Sequence, residues 1–363
     1  MQITTPVLMR PREPMQMLDL DLDDPGPGEV RVRMVASGVC HSCLHAADGS
    51  HTGIPMPIVL GDEGAGVVES TGAGCDRLSP GDHVIISWAP DCGRCRYCSL
   101  GFPSLCLNQP AAGMTARGGT RFHHEGRDVH HYGPATYGPY IVVPEAAAVG
   151  VREDFPLEHA ALIGCSVTTG FGAVVNSAET GPGDGIAIFG CGGVGLNSVQ
   201  AAALVGAYPI IAVDVVDSKL EIAREFGATH TVNPSRQDLE AEVMALTGRG
   251  VDASVVAVGS TQAMEQACAV LAKQGTCVVV GLPGTGETFA VDPRLLMVGE
   301  RKIVGSRYGT SNPMVEFPRM VDLAVEGRLR IEDLITKRYD LDQADLAFKE
   351  LAAGEQARGL IVF

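Results

Sequence analysis

Near residue 166 the rhythm of apolar and polar positions changes. Beyond it, unbroken apolar runs alternate with stretches of helical spacing. "GIAIFG", "PIIAVDV", "ASVVAVG" and "TCVVVGL" read as strands buried on both faces. Between them, "GVGLNSVQAAALVGA", "SKLEIAREFGA" and "MEQACAVLAKQG" read as helices, the second ending at a glycine. Strand–helix alternation predicts a parallel sheet covered on both faces. The chain before it differs. Short β-type runs such as "EVRVRMVA" and "DHVIIS" lie among glycines and prolines, which predicts a loop-rich β domain. The end of the chain returns to a mixed pattern and closes on "GLIVF". The expected organisation is a β domain over 1–165, an α/β domain over 166–305, and a return to the β domain over 306–363. There is no internal repeat and no low-complexity tract.

Composition narrows the class. A chain of 363 residues, 45% of them hydrophobic, has room for about two domains of roughly 150 residues. With 27 Lys and Arg against 43 Asp and Glu, the formal charge is −16, which argues against nucleic acid and against an anionic membrane surface. The acidic excess reads as solubility. "MQITTPVLMRPREP" lacks the apolar core of a signal peptide, and no apolar stretch is long enough to span a bilayer. Eleven cysteines is an odd count, which points to metal sites or buried thiols over disulfides. The expected compartment is the cytoplasm.

Two motifs carry chemistry by spacing alone. "FGCGGVG" sets Gly190, Gly192 and Gly195 in G-x-G-x-x-G spacing, after one predicted strand and before a helix. The first glycine permits the turn, the second lets a pyrophosphate approach, and the third lets helix pack on strand. Asp214 ends the next strand, 19 positions after Gly195, where a carboxylate binds the ribose hydroxyls of NAD and repels the phosphate of NADP. Lys219 has two readings, a contact to the same ribose or a solvated helix lysine. The second motif is "CGRCRYCSLGFPSLC". It places Cys92, Cys95, Cys98 and Cys106 in C-x2-C-x2-C-x7-C spacing, within a lobe over about 91–107. Four close thiolates suit a tetrahedral structural Zn²⁺. An iron–sulfur cluster is the competing reading, against which stands the short loop without the proline of ferredoxin runs.

Zinc lobe, dinucleotide turn and domain order together resemble the zinc-dependent medium-chain alcohol dehydrogenases. The likeness runs through "GVCHS", "IGCSVTTGFGA" and "ARGLIVF", and so over essentially the whole chain. It implies a GroES-like β catalytic domain, a Rossmann coenzyme domain, one structural and one catalytic zinc, and NAD. The catalytic zinc of that family sits on a cysteine, a histidine and a second cysteine. Cys40 and Cys165 match the cysteines. The family's "GHE" triplet is "GDE" here, so Asp62 stands at the histidine position and Glu63 matches the nearby glutamate. An aspartate that orients the ligand histidine in the family is replaced by Cys43. The replacements are coherent, because a carboxylate ligand has no N–H to orient. Asp62 is therefore the expected ligand, with Cys43 the alternative through its C-x2-C pairing with Cys40.

The resemblance assigns further roles. Ser42 matches the hydroxyl that meets the bound alcohol, and His45 the histidine that passes the proton to solvent. His41 and Arg358 match contacts to the pyrophosphate. Thr169 matches a residue packed on the nicotinamide, with Val194 behind it, and Leu282 a backbone contact to the carboxamide. Gly193 and Val258 complete the cofactor set. Trp88, the only tryptophan, and Tyr137 match walls of the substrate pocket, against the plain alternative of core packing. His123, His124, His130 and His131 form two doublets, expected to be exposed loop histidines. The implied activity is oxidation of a primary, aromatic or allylic alcohol to its aldehyde, and the reverse. A thiol adduct of formaldehyde is an alternative substrate. Rival readings are a reductase without catalytic zinc and a nucleotide-binding protein without turnover. A full-length loop over 107–140 resembles the dimeric members, so a homodimer is expected.

Overall fold

The computed structural model describes residues 1–111, 113–115, 118–354 and 357–363. Of the 107–140 loop, positions 112, 116 and 117 therefore lie outside the described residues. The chain forms two compact units. One is Met1–Ser166 with Asn312–Phe363, the other Val167–Ser311.

The first unit is built on strand Glu29–Gly38. Its alternating apolar residues Val30, Val32 and Met34 are buried. It pairs antiparallel with Gly64–Thr71, with Tyr140–Pro144 at its start and with the C-terminal strand Arg358–Val362 at its end. That last pairing, Leu360 opposite Gly38, is what returns the chain to the β unit. A second sheet runs in the order Gln2–Val7, Gln16–Leu22, Phe122–His124, Arg127–His131, Ile58–Val59. Leu20, Leu22, Ile58, Leu60 and Phe122 fill its core.

The second unit holds six parallel strands in the order His230–Val232, Ile210–Val213, Ile186–Phe189, Val251–Val256, Leu271–Val279, Lys302–Gly305. The order reverses beside Ile186–Phe189, and at such a switch point the loops after neighbouring strands part to leave a crevice. Two boundaries differ from the periodicity. The helix expected to run through "MEQACAVLAKQG" stops at Ala269, and Leu271 already pairs with Val251. Residues Ser306–Ser311, expected with the returning segment, belong to the second unit. Ser306 N–H donates to Val279 O, and Asn176 Nδ2 donates to Gly309 O. Among the described residues no single helix is long and apolar enough to cross a membrane.

The four doublet histidines, expected to be exposed in a loop, lie on strands Phe122–His124 and Arg127–His131, three half-buried and His131 buried. His123 bridges two carboxylates, Asp128 at 3.0 Å and Asp23 at 3.2 Å. His131 is buried, with its ring centroid 4.6 Å from that of Phe122. Its Nε2 accepts the Arg121 N–H at 2.9 Å, which requires an unprotonated nitrogen. Burial, with Arg121 nearby, pushes its pKa down to about 3. The folded state thus binds this proton less readily than the unfolded chain, whose histidine titrates near 6.5. Stability from His131 is full above about pH 6.5 and is lost as pH falls toward 3, on the order of 3 kcal/mol by pH 4. His131→Gln keeps an acceptor for Arg121 and removes the titration. Thermal unfolding of that variant should lose less stability between pH 7 and 4 than the parent; equal losses would reject the assignment.

Candidate metal centres and coenzyme cleft

Among the described residues, two groups of side chains able to hold a metal lie in the first unit. Sγ of Cys92, Cys95, Cys98 and Cys106 all lie within 4.8 Å of one another. Local structure achieves this. Cys95 begins the one-turn helix Arg96–Ser99, which carries Cys98, and Cys106 follows the 3-10 turn Pro103–Leu105. Backbone N–H groups converge on the sulfurs. Cys92 and Asn108 N–H donate to Cys106 Sγ (3.3 Å each), and Leu107 N–H donates to Cys95 Sγ (3.5 Å). Hydrogen bonds from Arg94 and Asn108 hold the Cys92 thiol down to about 6, whereas burial and the Cys95 sulfur push Cys98 up to about 12. Donors aimed at sulfur favour thiolates, and four thiolates this close need a cation between them. The donor set fits Zn²⁺.

The second group is assembled from distant segments. Cys40 precedes helix His41–Asp48, Asp62 follows strand Ile58–Val59, and Cys165 precedes helix Ser166–Gly172. Cys40 Sγ, Cys165 Sγ and an Asp62 oxygen come within 4.8 Å of one another. Ser42 Oγ lies 3.0 Å from Cys40 Sγ and also hydrogen-bonds Asp62 Oδ2. Cys43 is not in the group; its thiol donates to Asp62 Oδ1 at 3.6 Å. Burial raises the Asp62 pKa against the pull of Ser42 and Arg358, and burial with Asp62 raises Cys43 well above its usual value. The Cys40 sulfur and burial do the same to Cys165. Two thiols and a carboxylate at this depth hold either protons or a cation, so this donor set fits a divalent metal as well.

Glu63 departs from its expected place at this metal. Arg358 Nη2 straddles its carboxylate, 2.7 Å from Oε1 and 2.8 Å from Oε2, and Ser166 N–H donates to Oε2 (2.8 Å). A buried carboxylate turns to the guanidinium in preference to more negative sulfur. Arg358 is 3% exposed, and its Nη atoms are committed to Glu63 and to Val39 O, which makes it the counter-ion of Glu63. Tyr137 is fully buried, with its ring 6.0 Å from Phe348, and is core where a pocket wall was expected. Trp88 lies near Asp62. A Cβ added at Gly133 would lie 3.7 Å from Trp88 Cβ and 4.0 Å from Asp62 Cβ, so the two flank one small gap. His41 is exposed, and His45 is half-buried.

The second unit carries a cleft of about 270 Å³ beside its switch point, lined by Gly190, Val213, Asp214, Val258 and Ser260 among others. Gly190 has φ 89°, and a Cβ at Gly195 would lie 1.7 Å from Gly190 O, so neither tolerates a side chain. A Cβ at Gly192 would meet nothing within 4 Å; there the turn is open to a ligand. Helix Gly193–Val205 starts at this point without a side-chain cap, and the first-turn N–H groups of a helix have no partner within it. Asp214 Oδ2 accepts the Cys191 N–H (2.8 Å) and Oδ1 the Val216 N–H (2.9 Å), which fixes the carboxylate at the cleft. Lys219 is half-buried and near enough to act electrostatically on Cys191. Val194 and Thr169 are half-buried and Leu282 is exposed. The turn and the carboxylate fit a dinucleotide.

Residues 26–153 match the family described as alcohol dehydrogenase GroES-like domain, and 193–326 that described as zinc-binding dehydrogenase. A Mycobacterium tuberculosis chain with the provisional name alcohol dehydrogenase D is 39% identical over 374 residues, covering 100% of both chains. The chain belongs to the zinc-dependent medium-chain dehydrogenases. An S-(hydroxymethyl)glutathione dehydrogenase from Synechocystis is 35% identical, with 96% of each chain covered. The benzyl alcohol dehydrogenase structure from Acinetobacter calcoaceticus superposes with TM-score 0.95 at 31% identity, over 100% of this chain and 99% of that one.

Three neighbours of these sites in this dehydrogenase belong to no spaced motif. Tyr132 OH donates to Ser42 O at 2.9 Å, Gly133 faces Asp62 and Trp88, and Ser50 meets His45. Each acts through space from outside a spaced motif; the two tyrosines of "YGPATY" look equivalent in sequence. The Glu63–Arg358 pair yields a stability prediction. Arg358→Met leaves a fully buried carboxylate unpaired and should cost about 3–5 kcal/mol in urea unfolding. Adding Glu63→Gln should recover a large part of that loss. Additive losses in the double variant would mean that the two side chains are not coupled.

Proposed function

We propose that the chain is an NAD-dependent alcohol dehydrogenase that interconverts a primary alcohol, aromatic or allylic, and its aldehyde. The observation that carries this reading is the meeting of Cys40, Asp62 and Cys165 with the Ser42 hydroxyl beside two of them. Cys40, Asp62 and Cys165 would hold one Zn²⁺, and Cys92, Cys95, Cys98 and Cys106 a second. When bound, zinc supplies Lewis acidity toward a substrate oxygen and NAD supplies a hydride acceptor. The protein's own residues do the rest. Ser42 receives the hydroxyl proton and His45 delivers it to solvent. Trp88 gives an aromatic ring a surface to pack on, in keeping with the likeness to a benzyl alcohol dehydrogenase. Asp214 selects NAD by repelling an added phosphate.

A second reading has its own support. The likeness to an S-(hydroxymethyl)glutathione dehydrogenase favours a thiol adduct of formaldehyde as substrate, and the same Ser42–His45 path serves it. A metal-free reductase fits the gathered thiols less well. We also propose a homodimer. Met297 and Val298 are exposed beside Lys302–Gly305, the strand that ends the six-stranded sheet, and Leu100, Phe102 and Leu107 are exposed on the cysteine lobe.

Metal analysis alongside an NADH-forming screen of benzyl, allyl and short primary alcohols and S-hydroxymethylglutathione tests these readings. Two zinc ions per chain are expected. Cys98→Ala should lose one of them and lower the melting temperature. Asp62→Ala should lose the other and with it turnover; retained zinc would remove Asp62 as a ligand. In steady-state kinetics NAD should exceed NADP at least tenfold in kcat/KM, since a like charge facing Asp214 costs more than about 1.4 kcal/mol. Equal use of both would discard the role of Asp214.

A further inference from the structure

Helix His41–Asp48 ends at Gly49, whose left-handed backbone (φ 76°) folds Ser50 back over the last turn. Ser50 Oγ thereby comes to 2.9 Å from His45 Nδ1. Ser50 N–H donates to Asp48 Oδ1 at 2.8 Å, and Asp48 Oδ2 stands 3.8 Å from His45 Nδ1. The next residue, His51, donates its N–H to His45 O (3.0 Å), which closes the turn. The Asp48 carboxyl lies below its usual range: burial opposes this, but the Ser50 hydroxyl and N–H, with His45, outweigh it.

The chemistry of these groups leaves one consistent arrangement. An ionised Asp48 only accepts hydrogen bonds. The Ser50 hydroxyl has one proton; His45 O, at 3.5 Å, is a weak acceptor for it, and the Asp48 carboxylate, which it also hydrogen-bonds, is the stronger one. The Ser50 oxygen is then left to accept from His45, so the ring proton sits on Nδ1. We propose that Ser50 and Asp48 are positioning residues that hold His45 in its Nδ1–H tautomer, which makes Nε2 the basic nitrogen that receives the proton from Ser42. This rests on the reading of Ser42 and His45 as a proton path. The transfer balances without any further reactant. An N–H bond forms at Nε2 as the proton arrives, which gives an imidazolium beside the Asp48 carboxylate. The Nε2–H bond then breaks as a proton passes to water, while Nδ1–H stays on the Ser50 oxygen, and the ring returns to its neutral Nδ1–H form.

The test uses the full-length, metal-loaded enzyme labelled with ¹⁵N-histidine. The His45 signals are identified by their absence in His45→Gln. At a pH where the ring is neutral, the parent should show a protonated Nδ1 and a bare Nε2. Ser50→Ala should shift His45 toward the Nε2–H form, and Ser50→Thr should restore the parent pattern. With a primary alcohol as substrate, Ser50→Ala should lower kcat on the order of tenfold, below the 10²–10⁴ of a full general base, with KM nearly unchanged. Concentrated imidazole buffer should recover most of that loss. An Nε2–H tautomer in the parent, or an unchanged tautomer in Ser50→Ala, would overturn the positioning role. Undiminished kcat in His45→Ala would instead overturn the proton path itself, and the spectra would separate the two failures.

Discussion

Buried negative charge is the constraint around which the first unit is organised. Cys40, Asp62, Glu63 and Cys165 lie together at low exposure, and among the described residues the one cation buried with them is Arg358. Arg358 reaches that point because the C-terminal strand pairs with Glu29–Gly38, the strand that leads into Cys40. Gly38 has to be glycine for the same reason: a Cβ there would lie 1.8 Å from Glu63 Oε1. Chain topology, the ion pair and the ligand group therefore depend on one another. The guanidinium answers for Glu63, while Asp62 and the two thiols form a separate donor group beside that pair.

The replacement of a histidine by Asp62 gains a physical sense from its neighbours. Both carboxylate oxygens meet donors, Ser42 on one side and the Cys43 thiol on the other. An aspartate at position 43 would have put a second carboxylate against the first. The thiol instead donates, if weakly, and burial keeps it protonated. Tyr132 holds the backbone of Ser42 from behind. The site is thus a consistent altered set, in which each change of residue is matched by what surrounds it.

The coenzyme unit solves a different problem, close approach. Gly190 is crowded by Ala257 and Val258 and Gly195 by the Gly190 carbonyl, and their lack of side chains allows helix Gly193–Val205 to begin where the strand ends. Gly192 is open, and that opening is what a phosphate needs. Asp214 is held by two backbone N–H groups, so its carboxylate is already oriented at the cleft.

What could be read from the sequence was whatever is decided over short distances along the chain. The cysteine lobe closes within fifteen residues, from Cys92 to Cys106, and its spacing alone brings the sulfurs together. The G-x-G-x-x-G turn and the apolar strands of the second unit are equally local, since glycine conformation and burial on both faces leave direct marks on residue choice. The Cys40–Asp62–Cys165 group was reached only through likeness to a family, because Cys40 and Cys165 are 125 positions apart. Tertiary structure alone decided between neighbours that look alike in sequence. Asp62 faces the thiols while Glu63 turns to Arg358, 295 positions away. Tyr132 holds Ser42 while Tyr137 is buried in the core, and His131 is buried while His124 of the other doublet remains only half-buried. The physical reason is common to all three. Adjacent residues share composition and local propensity, but burial and partner are set by which remote segment packs against each side chain.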